Sequence, residues 1–206
     1  MTLQDNDAAD IAWMRRLAEE GGQSPYRGAS IQFAAGLIYG LASLAHGAVV
    51  TGLVAAPPAA FAVIWLGATV IFLVIMALLT MRMARDPSPC TAANRAARAV
   101  WTGVGWGVFA LFAALWMVIW RTGQAGTEAF LLVPSIIMVF YGMGWAVTGA
   151  MMRNRGLIGL AIASFAAAPL LGLFAGSGAQ YWAYAIALFG LMALPAWIMM
   201  RQAART

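Results

Sequence analysis

Side chains able to do chemistry are sparse in this sequence, and the most conspicuous is its single histidine, His46. On a helix, His46 would share a face with Tyr39 and Ser43, which precede it at helical spacing. A histidine within a long apolar segment is either a functional group or a neutral imidazole bonded to a carbonyl, a hydroxyl or a lipid headgroup. One histidine cannot supply a bis-histidine haem site or a metal site within one chain, so we predict the second role.

Further hydroxyl-bearing side chains lie in the fourth apolar segment, and prolines interrupt the fourth, fifth and sixth segments. Each proline removes a backbone donor and frees a carbonyl one turn earlier. These residues either line a polar cavity for a solute or belong to packed, kinked helices, and the sequence favours plain kinks. The candidate cavity residues are Tyr39, Ser43, His46, Ser135, Tyr141 and Thr148, and the prolines are Pro134, Pro169 and Pro195.

Acidic residues, on which most proton-transfer and ion-coupling sites depend, are missing from the centres of the apolar segments. Two-carboxylate catalysis needs a pair of acids within reach, and coupled carriers usually keep an acid inside the membrane. No phosphate-binding glycine loop, GxSxG elbow, HExxH motif or paired-cysteine motif occurs. We therefore nominate no catalytic residue and lean against an enzyme. The seven acids are Asp5, Asp7, Asp10, Glu19, Glu20, Asp86 and Glu128.

Sulfur-containing side chains do not indicate a metal site. Cys90 is the only cysteine, so neither a disulfide nor a thiolate cage can form within one chain. Methionine pairs at the ends of the apolar segments invite a copper(I) interpretation, because soft ligands select soft metals. With no Cys or His at that level, we interpret them as gap-filling side chains and predict neither a metal nor a cofactor. The pairs are Met81 and Met83, Met151 and Met152, and Met199 and Met200.

The elements that must position these side chains are long apolar helices. Hydrophobic residues make up 63% of the 206 residues and charged residues only 9%, whereas a soluble domain is about a quarter charged. Crossing a hydrocarbon core about 30 Å thick takes about 20 helical residues, so six crossings use most of the chain. We predict an all-α membrane protein with a six-helix bundle over residues 30–206, with spans at 30–53, 59–81, 99–120, 129–151, 157–175 and 181–200.

The arginines predict the orientation of this bundle. The sequence has no lysine, and of its 12 basic residues only Arg121 lies in a link on the side opposite to the others. By the positive-inside rule, the arginine-rich side is the cytoplasm, which places both termini there and the bundle in a bacterial inner membrane. The basic residues form no patch interleaved with aromatic residues, so we do not expect nucleic acid as a partner.

Small residues form stripes on two of the predicted helices, at spacings that bring them to one face. Such stripes mark close helix packing, either inside the bundle or in a homodimer, and we favour the internal role. The residues are Gly36, Gly40 and Gly47, with Ser43 between them, on the first helix, and Gly103 and Gly107 on the third.

The stretch ahead of the bundle, residues 1–29, contains a predicted amphipathic helix at residues 5–20. Aspartates favour the positive end of this helix, and Gly21 and Gly22 end it. Its apolar side chains would bind a cytosolic partner or insert into the bilayer surface, and the sequence favours neither over the other. The candidate contact residues are Ile11, Trp13, Met14 and Leu17.

The pattern IAWMRRLAEEG, followed by PYRG and the first apolar span, resembles the opening of small six-helix inner-membrane proteins of proteobacteria. The resemblance is confined to the N-terminal segment. It implies no activity, and it assigns no catalytic or binding residue to this chain.

Three functions of different classes fit these observations. The leading hypothesis is a non-enzymatic membrane protein that binds a cytosolic or membrane partner, in a regulatory, sequestration or immunity role, through residues 5–20 and the link at 82–98. The alternative is a small transporter or channel for a neutral or apolar solute, lined by the candidate cavity residues. A lipid-modifying enzyme ranks third, because no acid or nucleophile constellation faces the membrane.

Overall fold

The structure, a computed structural model, describes residues 26–85, 91–123 and 127–204, and it confirms the predicted all-helical fold across them. It contains six helices that are long and apolar enough to span a membrane. The predicted amphipathic helix at 5–20 and its four contact residues lie outside the described residues. The six helices are α1 (Ala29–Val50), α2 (Ala59–Ala84), α3 (Ala92–Thr122), α4 (Glu128–Met151), α5 (Arg155–Leu173) and α6 (Ala179–Ala203).

Local signals explain where several helices begin and end. Thr91 caps α3 by accepting a hydrogen bond of 3.2 Å from the Asn94 backbone N–H, so α3 begins before the predicted span of 99–120. Asn154 caps α5 in the same way, with its side-chain oxygen 2.9 Å from the Gly156 nitrogen. Gly123 ends α3 in the left-handed conformation at a φ of 64°, where a side chain would be strained.

The core lies among α1, α4, α5 and α6, while α2 and α3 lie at the periphery. The packing of α1 along α6 and of α4 against α5 is the most extensive; α1 also packs against α2, and α3 packs against α4. Only Ala68 of α2 is buried, and large apolar side chains such as Leu66 and Trp106 face outward. Outward-facing apolar side chains are the surface that a lipid environment requires, since lipid rather than water then surrounds the bundle.

Helix α6 is irregular at its centre, where Phe189–Ala193 form one turn of π-helix. Pro195 follows this turn and has no N–H to give to the carbonyl of Leu191. That carbonyl instead accepts a hydrogen bond of 3.1 Å from the indole nitrogen of Trp145 on α4. Trp145 is completely buried, so the irregularity of α6 is matched by a specific donor on a neighbouring helix.

Helix α4 is interrupted near its start, between Thr127–Leu131 and Val133–Met151. Pro134 falls in the first turn of the second segment, where the missing N–H costs little. The side-chain amide of Gln180, from the start of α6, donates a hydrogen bond of 2.6 Å to the carbonyl of Leu131 beside this break. Of the three prolines, Pro169 is the one inside a regular α-helix.

Two hydrogen bonds are found where the first and third helices begin. At one end, the backbone N–H of Arg27 donates to the side-chain oxygen of Asn94 (3.1 Å), which joins the start of α1 to the start of α3. Gln32 donates to the hydroxyl of Tyr26 at the same end, and desolvation raises the pKa of Tyr26 above its ordinary value, so this phenol stays neutral. We call this end, where α1, α3 and α5 begin, the basic end, and the other the opposite end.

Candidate functional site

The structure separates the six residues predicted to line a polar cavity into groups with different roles. The hydroxyl of Ser43 donates to the carbonyl of Tyr181 at 2.7 Å, which fastens α1 to α6. The hydroxyl of Thr148 donates to the carbonyl of Gly144 at 2.7 Å and accepts from the indole of Trp101 at 3.1 Å. Both hydroxyls are fully buried and satisfied by the protein, so their contacts are those of structural groups.

His46 lies near the opposite end in a small aromatic cluster. The indole of Trp65 on α2 donates to its Nδ1 at 2.8 Å, so the indole, rather than the expected carbonyl, hydroxyl or headgroup, is the partner. Its ring stacks on Tyr181 with centroids 3.6 Å apart and lies 4.4 Å from the ring of Phe61. An indole can only donate, so Nδ1 is the accepting nitrogen and the proton of a neutral imidazole lies on Nε2.

Tyr39 and Tyr141 come together with a residue that the sequence reasoning missed, Tyr184 of α6. Tyr141 and Tyr184 belong to the same buried cluster of side chains, and Tyr39 packs against that cluster, although the three residues come from α1, α4 and α6. We call these three residues the tyrosine site. A buried stripe at helical spacing, Gln180, Tyr184 and Leu188, is the signal that would have found Tyr184, because it marks the face of α6 turned inward.

Aromatic rings of the two peripheral helices border the tyrosine site. Phe72 of α2 lies 5.5 Å from the ring of Tyr39, and Trp101 of α3 lies 6.0 Å from the ring of Tyr141. The site is therefore built by five of the six helices and is lined by rings and hydroxyls.

The hydroxyls of Tyr141 and Tyr184 have no hydrogen-bond partner within the described part of the chain, although the residues are only 8% and 2% exposed. Across the same residues, the fully sealed side-chain atoms that lack a partner are the oxygens of Gln32, Ser135 and Gln180. Neither phenol oxygen is among them, so each still borders accessible space. A buried phenol without a partner is costly in an apolar environment, so these two hydroxyls are candidate donors to a ligand.

Ser135 and Gln180 carry the two sealed oxygens nearest the opposite end of the bundle. Ser135 Oγ makes no hydrogen bond, and Gln180 Oε1 is unpartnered although the nitrogen of the same amide is bonded to Leu131. Gln180 is completely buried. Nothing in the sequence singled out Gln180, because a glutamine at the start of a span resembles an ordinary interfacial residue.

The predicted packing glycines divide between the two helices. A Cβ at Gly36 would lie 2.5 Å from the backbone nitrogen of Ala193, and one at Gly40 would lie 2.6 Å from the ring of Phe189. A Cβ at Gly47 would lie 3.2 Å from the indole of Trp182. These three glycines let α1 approach α6. On α3, Gly107 lies beside Phe140 at ordinary contact distance, and Gly103 faces open space.

Two open grooves on the described surface are lined by apolar side chains. One runs between α5 and α6 past Leu170 and Ile186, and the other runs past Val100, Phe140 and Phe165. Within residues 26–85, 91–123 and 127–204, no three His, Cys, Asp or Glu side chains come together. Because the side chains that line them are apolar, neither groove offers a polar side chain to a solute.

Met152 and Met199, from two of the predicted methionine pairs, pack against the buried core. This is the contact expected of a flexible side chain that fills a gap.

Comparisons with protein-family models, with curated proteins and with solved structures find no match to this chain.

Proposed function

We propose that the chain is a non-enzymatic protein of a bacterial inner membrane that binds a cytosolic protein at its basic end. The observation that supports this most is the hydrogen bond between Arg27 and Asn94. It fastens the chain entering α1 to the first turn of α3. We expect this contact to keep residues 5–20 and the link at 82–98, the two sizeable polar stretches, at the same end, where they would form one contact surface.

The orientation in this proposal rests on the positive-inside rule, with both termini in the cytoplasm. Arg82 and Arg85 end α2, Arg95 and Arg98 lie in the first turns of α3, and Arg155 begins α5. Arg201 near the end of α6 lies 3.9 Å above the ring of Trp197, an arrangement that suits an interfacial side chain. The described helix ends on this side are therefore basic.

The partner contact itself is assigned to the apolar face of the amphipathic helix at residues 5–20. Ile11, Met14 and Leu17 would supply about 1.5–3 kcal/mol per large side chain that becomes fully buried. The same face would insert into the bilayer if it had no protein partner. We favour the protein partner because Arg27 is hydrogen-bonded to Asn94, and we expect this contact to bring the helix close to the link at 82–98.

The hydrogen bonds inside the bundle also favour a role in binding a partner over transport or catalysis. Ser43, Thr148 and His46, three of the residues expected in a cavity, hydrogen-bond with other groups of the protein. A transporter for a neutral or apolar solute is the second candidate. It is favoured by the unpartnered oxygens of Ser135 and Gln180, which lie at the end where such a solute would enter from the periplasm.

Deletion of residues 1–22 tests the proposal. The arginines after residue 22 and the first span remain, so insertion and folding of the six helices should be unchanged, while recovery of a cytosolic partner from native membranes should be lost. Asn94→Ala should weaken partner recovery while preserving expression, because it frees the entry to α1. If the truncated chain recovers the partner as well as the full chain does, the proposal fails.

A further inference from the structure

We propose that the tyrosine site binds a neutral, ring-bearing molecule dissolved in the bilayer and carrying carbonyl oxygens, the chemical class of the membrane quinones. This inference is independent of the proposed function, because the site lies in the spanning region and involves no residue of the N-terminal segment. It starts from Tyr141 and Tyr184, whose hydroxyls are more than nine-tenths buried, unpartnered in the described chain and yet not sealed.

The depth of Tyr141 excludes ordinary phospholipids as the source of an acceptor for its hydroxyl. Tyr39 lies near the middle of α1, and Tyr141 lies near the middle of α4. At 1.5 Å per residue, each is about 15 Å from the nearest helix end, whereas Tyr184, five residues after the start of α6, is about 7.5 Å from that end. In a hydrocarbon core about 30 Å thick, headgroups and ester carbonyls lie at the surfaces and acyl chains carry no acceptor. An acceptor at this depth must belong to a neutral molecule that dissolves in the core.

The lining of the site selects among such molecules. Phenol hydroxyls are donors of the kind that a carbonyl oxygen accepts, and the rings of Phe72 and Trp101 stand next to Tyr39 and Tyr141. Aromatic side chains favour a planar ring, which can lie against them in stacked or edge-to-face geometry. The bordering side chains are uncharged, so the ligand must be neutral as well. A quinone combines a planar ring with carbonyl groups on opposite sides.

Two of the rings that border the site belong to the peripheral helices. Phe72 belongs to α2, which packs on α1, and Trp101 belongs to α3, which packs on α4. We expect a ligand to approach the three phenols from the side of these two peripheral helices, whose outward faces are apolar. A molecule already dissolved in the membrane reaches the site laterally and need not cross the arginine layer at the basic end.

The test uses the purified full chain in nanodiscs and decylubiquinone as the probe, with decylbenzene as the matched ring that lacks carbonyl groups. Saturable quenching of tryptophan fluorescence reports binding. Tyr141→Phe and Tyr184→Phe each remove one donor and should weaken binding of the quinone about three- to tenfold. Tyr181→Phe is the matched control, because it removes a phenol hydroxyl from α6 outside the site. The affinity of this variant for decylubiquinone should equal that of the unmodified chain.

The melting temperatures of the variants distinguish a binding role of the two hydroxyls from a packing role. Removing an unpartnered buried hydroxyl leaves no donor behind, so the melting temperature of the ligand-free Tyr141→Phe and Tyr184→Phe proteins should be unchanged or higher. The inference is overturned if decylubiquinone does not saturate, if decylbenzene binds as tightly, or if both variants keep full affinity. Deleting residues 1–22 should leave quinone binding intact, which distinguishes a failure here from a failure of the partner proposal.

Discussion

The indole nitrogen of Trp145 donates a hydrogen bond of 3.1 Å to the carbonyl oxygen of Leu191, the carbonyl that Pro195 leaves without its helical donor. The proline on α6 and the tryptophan on α4 are therefore a matched pair. Because Trp145 is completely buried, its loss would leave that carbonyl unpaired in an apolar interior, where an unpaired polar group is costly.

We predict that Trp145→Phe lowers the free energy of unfolding by about 2–4 kcal/mol, through the lost hydrogen bond and the smaller ring. In a Pro195→Ala background the cost should be about 1 kcal/mol smaller, since an alanine in place of the proline restores a backbone donor. Unfolding in detergent with both single variants and the double variant measures the difference. Trp120→Phe, at a 79% exposed position, is the control. Equal costs in the two backgrounds would refute the pairing.

The glycines of α1 and α3 should respond differently to the same substitution. Gly36→Ala places a methyl group 2.5 Å from the Ala193 backbone nitrogen, and overpacking against backbone should cost about 1–3 kcal/mol. Gly103→Ala meets no atom within 4 Å and should be neutral or slightly stabilising, because alanine favours helix. Thermal unfolding of the two variants provides the comparison. A Gly103→Ala protein that loses a dimer would instead assign Gly103 to a contact between copies.

His46 should behave as a hydrogen-bond acceptor whose role another acceptor can fill. His46→Gln offers an amide oxygen to Trp65, so the melting temperature should be nearly unchanged. His46→Leu leaves the indole N–H unpaired and should cost about 1–3 kcal/mol, and adding Trp65→Phe should recover part of that loss. If His46→Gln abolishes a bound chromophore, a metal or solute flux, the histidine is a functional ligand and this interpretation is wrong.

Topology can be read directly with reporter fusions. Fusions at Gln23, Ser88 and Gln202 should report a cytoplasmic location, and a fusion at Ala125 should report a periplasmic one, because the arginines lie almost entirely on one side. Alkaline phosphatase and a fluorescent protein give opposite signals and serve as mutual controls. The reverse result at two of these sites would overturn the orientation.

The six helices could be predicted from the sequence because lipid imposes their length and their apolar character residue by residue. Gly36 and Gly40 could likewise be recognised as packing positions, since small residues at helical spacing are what a close helix contact requires. Their partners, Ala193 and Phe189, could not. Which helices meet depends on how whole side-chain surfaces fit, and no pattern within α1 or within α6 encodes that fit.

The candidate site was predictable only in part for the same reason. Tyr39 and Tyr141 were recognisable as polar groups inside spans, whereas Tyr184 gains its importance from lying next to them. Ser43 looked like a cavity residue, yet it is bonded to the carbonyl of Tyr181. Whether a hydroxyl is free or satisfied depends on a backbone group from a distant part of the chain, and sequence spacing carries no information about that group.

The central claim is that this protein acts by binding a cytosolic partner through the apolar face of residues 5–20. One comparison of affinity capture from native membranes tests this claim most directly. The chain with Ile11→Glu and Leu17→Glu should lose a protein that the unmodified chain recovers. The chain with Ala9→Glu and Ala12→Glu, which carries the same added charge on the other side of the helix, should retain it. Equal recovery by all three chains, with solute flux altered only by changes at Tyr39 or Tyr141, would contradict the claim and establish transport in its place.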